Sequence, residues 1–372
     1  MPARDAETPE RRCDGGNEGL RRVWIRNVKE GQILALPVTN AAGVTVVQKG
    51  LELTSAVIER LKQLGVQRVF VEDPAFEGVD AREGLDSVTY SRLSGFLERM
   101  AIAVRDDGVE DLSAFSQEVV YWTRMICEAL EKGPPSFLLY PNEGDLLRRW
   151  IARTVNVALL GAKTYLNIGG RDQARWIATA ALLMDLGLWR LDEEILADLL
   201  IQGDTARSEV TEHVGLSLRC VRSMSGLSSF VTAIVAQHHE RCDGTGYPKR
   251  LRGPAIHPLA KVMAVVDSFV SATQREKDPL LPHDALEWLM AGVGFEFDHA
   301  AVKAFRNAIH PYPVGMEVEL DSGERGVVTG VRGVLLSRPC VRVVWDAEGN
   351  EVNPHYEVDL SVQMTKSIRR VL

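Results

Sequence analysis

The chain has 372 residues, 45% of them hydrophobic and 25% charged, with a formal net charge of −8. Such a chain forms cores, divides into two or three domains, and is neither a disordered polymer nor a dedicated nucleic-acid binder with its basic surplus. Its five cysteines include no CxxC pair, which fits reduced thiols better than a disulfide framework or zinc knuckle.

The first residues, MPARDAETPERRCDGG, carry both charge signs and no apolar centre. They read as a disordered tail over 1–21, not a signal peptide. No run of about 18 uncharged apolar residues occurs, so no membrane partner or spanning helix is expected. The expected location is the cytoplasm.

Residues 22–73 read as a small α+β regulatory module. GQILALPVTNAAGVTVVQKG gives two strands around the Asn40-Ala41-Ala42-Gly43 turn. LTSAVIERLKQLG gives a helix capped by Thr54 or Ser55, with Val57, Ile58, Leu61 and Leu64 on one face and Gly65 as its stop. VQRVFVED closes the module as a strand. Residues 74–135 read as a linker and helical connector, ended by the breaker KGPPS. In that connector Trp122, Met125 and Leu130 read as core.

Residues 136–311 form a predicted all-helical domain, and 312–372 a small antiparallel β module with corners at Ser-Gly and Glu-Gly-Asn. The fold class is therefore mainly α, with an α+β module before the helices and a β module after them.

The chemistry gathers in the helical domain. All eight histidines lie at or beyond His213, and two adjoin in QHHERCDGTGYP. Neighbouring helical side chains point about 100° apart, so His238 and His239 converge on one centre only where a helix frays into the glycine-rich loop. Imidazole and carboxylate together suit iron, manganese or zinc. The basic Lys249, Arg250 and Arg252 just after the loop read as a solvated stretch or an anion attractor.

HHERCDGTGYP resembles the HHExxDGxGYP signature of the HD-GYP family, bacterial phosphohydrolases that cleave cyclic di-GMP. His238, His239, Glu240, Asp243, Gly244, Gly246, Tyr247 and Pro248 all match. The resemblance extends over roughly residues 142–311 and implies an HD-type helical fold. It implies metal ligands at Asp185, His213, His238, His239 and Asp267, with Asp185 also catalytic, around a divalent transition metal, Fe or Mn. It further implies nucleotide contacts at Gly244, Gly246, Tyr247 and Pro248, with Arg275 or Lys277 as substitute cations. The implied ligand is cyclic di-GMP or a related nucleotide. GGDEF-domain signalling proteins are possible partners, and a homodimer through the helices of 87–132 is an analogy with the family.

Three family positions are lost. Where the family has HDIGK, this chain reads MDLGL, so Met184 replaces a histidine and Leu188 a lysine; one helix earlier Arg153 replaces another histidine. No histidine exists in residues 1–212, so no shift of alignment restores them. Losing metal-binding imidazoles costs more than the ~10–100-fold typical of the groups that orient ligands, and losing one electrostatic donor costs about 10²–10³ in rate. Three readings follow: a binding or regulatory protein with a partly lost metal site, a working phosphodiesterase on the residual ligands, or a scaffold.

Overall fold

In the computed structural model, residues 19–39, 44–64, 66, 68–108, 111–142, 144–202 and 208–372 are described. The expected tail over 1–18, the Asn40–Gly43 turn and the Gly65 stop lie outside them.

The N-terminal module pairs β1 (Leu20–Trp24) antiparallel with β4 (Arg68–Glu72), and β2 (Val38–Thr39) with β3 (Thr45–Val47). Leu20 and Arg21, expected in the tail, belong to β1. Val23 of the same strand packs in the module's core, while Leu20 packs with Ala35 and Phe70. Helix α1 (Ser55–Gln63) starts at Thr54, whose hydroxyl accepts from the Val57 amide, and buries Ile58 and Leu61 under the strands.

Ten further helices are present among the described residues after α1. They are α2 (Ser87–Asp107), α3 (Ser116–Lys132), α4 (Leu146–Leu166), α5 (Arg171–Leu183), α6 (Glu193–Gln202), α7 (Ser208–Ser223), α8 (Ser229–Gln237), α9 (Pro258–Gln274) and α10 (Pro282–Ala291); α11 (His299–Ala308) follows and completes the bundle. Helix α9 is apolar nearly all round, with Leu259 through Val270 almost entirely buried. That is the pattern of a central helix wrapped by neighbours.

One hydrophobic core runs from Leu85 to Ile309 and includes Leu93, Phe96, Trp122 and Leu130. The connector expected over 74–135 is therefore corrected in part: α2 and α3 are built into the same core as α4–α11. The KGPPS breaker bends the chain without dividing that core. The main apolar faces of α2 and α3, which the analogy assigned to a dimer, are used inside this chain.

The C-terminal module is a five-stranded antiparallel sheet in the order β8-β7-β6-β5-β9, from β5 (Glu317–Leu320), β6 (Arg325–Gly330), β7 (Cys340–Trp345), β8 (Glu351–Asp359) and β9 (Ile368–Val371). Ser322-Gly323 and Glu348-Gly349-Asn350 make its first and third corners. The two small modules touch each other. Arg21 holds Glu317 through two bonds of 2.9 Å, and Ala75, Phe76 and Val79 pack on Val327 and Val344. No described helix is long and apolar enough to cross a membrane.

Candidate metal centre

Helix α5 ends at Leu183 and passes into a tight 3-10 turn, Leu186–Arg190, that carries Asp185 at its start. This turn lies directly on α7. A Cβ on Gly187 would stand 2.3 Å from the His213 carbonyl oxygen and 2.8 Å from the Ser217 amide nitrogen. Only glycine permits that approach, and the Gly187 amide donates to Ser217 Oγ at 2.8 Å. The close fit brings Asp185 next to His213.

Helix α8 ends at Gln237, and His238 and His239 follow where the chain leaves the helix. The ensuing loop is held by Glu240, which is buried and accepts from the amides of Lys249 at 2.7 Å and Leu251 at 2.8 Å. Glu240 thus shapes the loop. Asp243 likewise closes the turn by accepting from Thr245. Gly244 has φ +82°, and a Cβ on Gly246 would meet backbone atoms of Arg241 and His239 at 2.3–2.4 Å.

Asp185, His213, His238 and His239 are all buried and offer ligand atoms that lie within 4.8 Å of one another. His213 Nδ1 faces the Val210 carbonyl at 2.5 Å and His238 Nδ1 the Val235 carbonyl at 2.8 Å. A carbonyl only accepts, so both Nδ1 atoms carry hydrogen and each Nε2 presents a lone pair when the ring is neutral. The two Nε2 atoms stand 3.4 Å apart, and 3.6 and 3.7 Å from Asp185 Oδ1.

Burial, aided by the neighbouring His239, lowers His213 to about 3 and lowers His238 as well. Both rings are then neutral near pH 7. Burial alone would raise the Asp185 carboxyl, but the Arg153 guanidinium first and the two imidazoles next hold it far below the usual carboxylate range. Two lone pairs and a carboxylate oxygen converge without a proton between them. That donor set fits one metal ion.

The other side of the centre is different. Arg153, from α4, sends Nη1 to Asp185 Oδ2 and Nη2 to Asp267 Oδ1 at 2.5 Å and Ser271 Oγ at 3.1 Å. Its guanidinium thus joins the 3-10 turn to α9 across the space between two buried carboxylates. Asp267, expected beside the histidines, is drawn to Arg153 and is not among the four converging residues. Met184 is fully buried in the hydrophobic core. Leu188 instead lines the centre's cavity with Leu199 and Val210. That cavity is about 20 Å³, room for about one water or ion and not for a nucleotide.

The expected nucleotide contacts are dispersed. Tyr247 stacks on His239, centroids 4.6 Å apart at 25°, so its ring supports a ligand-bearing histidine. Arg275 is placed elsewhere: it follows α9, donates through Nε to the Asp278 carbonyl at 2.9 Å and lines a different cavity. Lys277 is exposed and outside both linings. Sequence reading missed Ser271, although it lies four residues after Asp267 on one helix face, the spacing that aligns side chains.

Residues 147–300 match the HD domain family, and residues 317–372 match a KOW domain associated with HD domains. The chain is 33% identical over 183 residues to the cyclic di-GMP phosphodiesterase PA4108 of Pseudomonas aeruginosa, covering 49% of this chain and 44% of that protein. It is 31% identical over 135 residues to the 3'3'-cGAMP-specific phosphodiesterase 2 of Vibrio cholerae, covering 36% and 26%. To the cyclic di-GMP phosphodiesterase response regulator RpfG of Xanthomonas campestris it is 31% identical over 139 residues, covering 36% of each. The chain spans less than half the length of these curated relatives. A solved HDG"Y"P protein, Bd1817 of Bdellovibrio bacteriovorus, aligns over 77% of this chain and 98% of its own, at 12% identity and a TM-score of 0.42.

Proposed function

We propose, from the HD-domain match over residues 147–300 and the likeness to cyclic di-GMP phosphodiesterases, that the chain is a cyclic di-GMP signalling protein of the HD-GYP type. In this reading it acts by binding or regulation and is a poor hydrolase. The observation that carries the reading is the Arg153 guanidinium held between Asp185 and Asp267. A fixed cation there opposes entry of a second metal through like charge. The residues that would hold the remaining ion, Fe or Mn, are Asp185, His213, His238 and His239. Such an ion, when bound, supplies Lewis acidity and lowers the pKa of water.

The chain's own residues support the same conclusion. Leu188 offers no positive charge to a phosphate, and Leu188, Leu199 and Val210 give the small cavity an apolar wall. The ligand is cyclic di-GMP or a related cyclic dinucleotide such as 3'3'-cGAMP, the nucleotides named for the relatives. A second reading, a working phosphodiesterase, is favoured by the convergence of four donors within 4.8 Å.

The test is metal quantification on purified protein together with a cyclic di-GMP cleavage assay in Mn(II) and Fe(II). The expected result is at most one ion per chain, with turnover at least ~10²-fold below that of the triple variant Arg153→His, Met184→His, Leu188→Lys. Two tightly held ions and rapid cleavage by the parent protein would establish the second reading instead. No metal in any preparation would point to a scaffold.

A further inference from the structure

A second cavity, of about 520 Å³, opens where the helical domain meets the C-terminal sheet, and it shares no lining residue with the first. Small-molecule pockets span ~300–1,000 Å³, so this one has room for a nucleotide. Separate parts of the chain bring positive or titratable groups to it: Lys163 from α4, Arg275 after α9, His310 after α11, and Arg369 and Arg370 from β9. No carboxylate is in the lining. Glu319, outside it, serves Arg370 at 2.6 Å and Arg369 at 4.0 Å. The Lys163 ammonium has no ion pair or hydrogen bond among the described residues, and Arg275 uses only Nε, on a backbone carbonyl.

Like charges gathered from distant segments repel one another, and partial burial weakens the water that would screen them. Burial lowers the pKa of Lys163 and of His310, with Lys163 adding to the effect on His310. An anion between these groups relieves both penalties.

A polar acceptor is also waiting. Asn142 Nδ2 donates to the Gln274 carbonyl at 2.6 Å, which fixes the amide's orientation. Asn142 Oδ1 is then left buried without a hydrogen-bond partner among the described residues, and Asn142 lines this cavity. Phe137, Phe269 and Leu281 supply apolar wall.

We propose that this cavity binds a phosphate-bearing small molecule of nucleotide size, with its charge on Lys163 and Arg275 and an N–H group on Asn142 Oδ1. The site stands apart from the metal centre and does not depend on whether that centre hydrolyses anything. The two are mechanically adjacent nonetheless, because α9 carries Asp267 and Ser271 at one and leads into Arg275 at the other.

Isothermal titration of the full chain with cyclic di-GMP, GTP and inorganic pyrophosphate tests it. At least one of these probes should bind. The double variant Lys163→Gln, Arg275→Gln should weaken that binding at least about tenfold, while His238→Ala leaves it within twofold. Arg369→Gln with Arg370→Gln, both well exposed and so harmless to folding, should weaken it severalfold. Failure of all three probes to bind overturns the inference. Binding that survives both cavity variants, or that is lost in His238→Ala, overturns it too, as does affinity for single-stranded RNA alone. Metal content and cleavage are read separately, so this inference and the proposed function fail independently.

Discussion

The two sides of the candidate metal centre balance charge by different means. On the loop side, His213 and His238 stand as neutral rings with Nε2 lone pairs beside Asp185, and His239 adds a third imidazole, an arrangement that a mobile cation stabilises. On the helix side the cation is part of the chain, a guanidinium on α4 that binds Asp185 and Asp267 at once. The lesson is that two buried carboxylates are tolerable in a core when a covalently attached charge pairs with both. Among the described residues the loop side has no such charge.

The strongest way to break this comparison is Arg153→Ala. Removing one partner of a buried ion pair leaves uncompensated charge and costs about 3–5 kcal/mol. Urea denaturation should show that loss, and Mn(II) should recover more stability in the variant than in the parent. An unchanged midpoint would mean that the guanidinium does not hold the two carboxylates.

A smaller effect tests the loop side. Gly187→Ala forces a methyl group against the His213 carbonyl and should cost about 1–3 kcal/mol by overpacking, while reducing metal retention through displacement of Asp185. Gly215→Ala, inside α7 where an added Cβ meets nothing within 4 Å, is the control: it should raise stability by about 0.5–1 kcal/mol and leave metal retention unchanged.

The smallest effect is a pH dependence. His213 titrates near 3 when folded against a reference of 6.5, so the unfolded chain binds its proton first. Its stabilising contribution is full above pH 6.5 and is lost as pH falls toward 3, with a limiting slope of about 1.4 kcal/mol per unit for one such group. In chelator, urea midpoints between pH 7.5 and 5 should therefore fall more steeply in the parent than in His213→Leu. Equal slopes would show that the ring is not held neutral.

Much of the site was legible because its residues cluster in sequence. The His238-His239 pair and the Asp243–Pro248 turn are each local, so residue type and spacing locate them at a helix end and its loop, while the MDLGL segment stands out only through the motif resemblance. Asp185, His213 and Asp267 were accessible through the motif resemblance. The roles of Glu240 and Tyr247 were not, because a loop-clamping carboxylate and a ring stacked on an imidazole look the same in sequence as ligand contacts. Arg275 lines a different cavity because α9 ends at Gln274, so the four-residue spacing that aligns Asp267 with Ser271 no longer carries to it.

The sequence by itself determined the helical bundle, its flanking strands and the missing upstream imidazoles, since periodicity, turn residues and residue identity are local properties, while its motif resemblance supplied five candidate ligands, of which the structure brings four together. Only the tertiary structure decided that α2 and α3 belong to the central core, that Arg153 spans Asp185 and Asp267, and that cations from three segments meet at the second cavity. Those facts depend on which distant side chains become neighbours. Burial then fixes how strongly their charges act on one another.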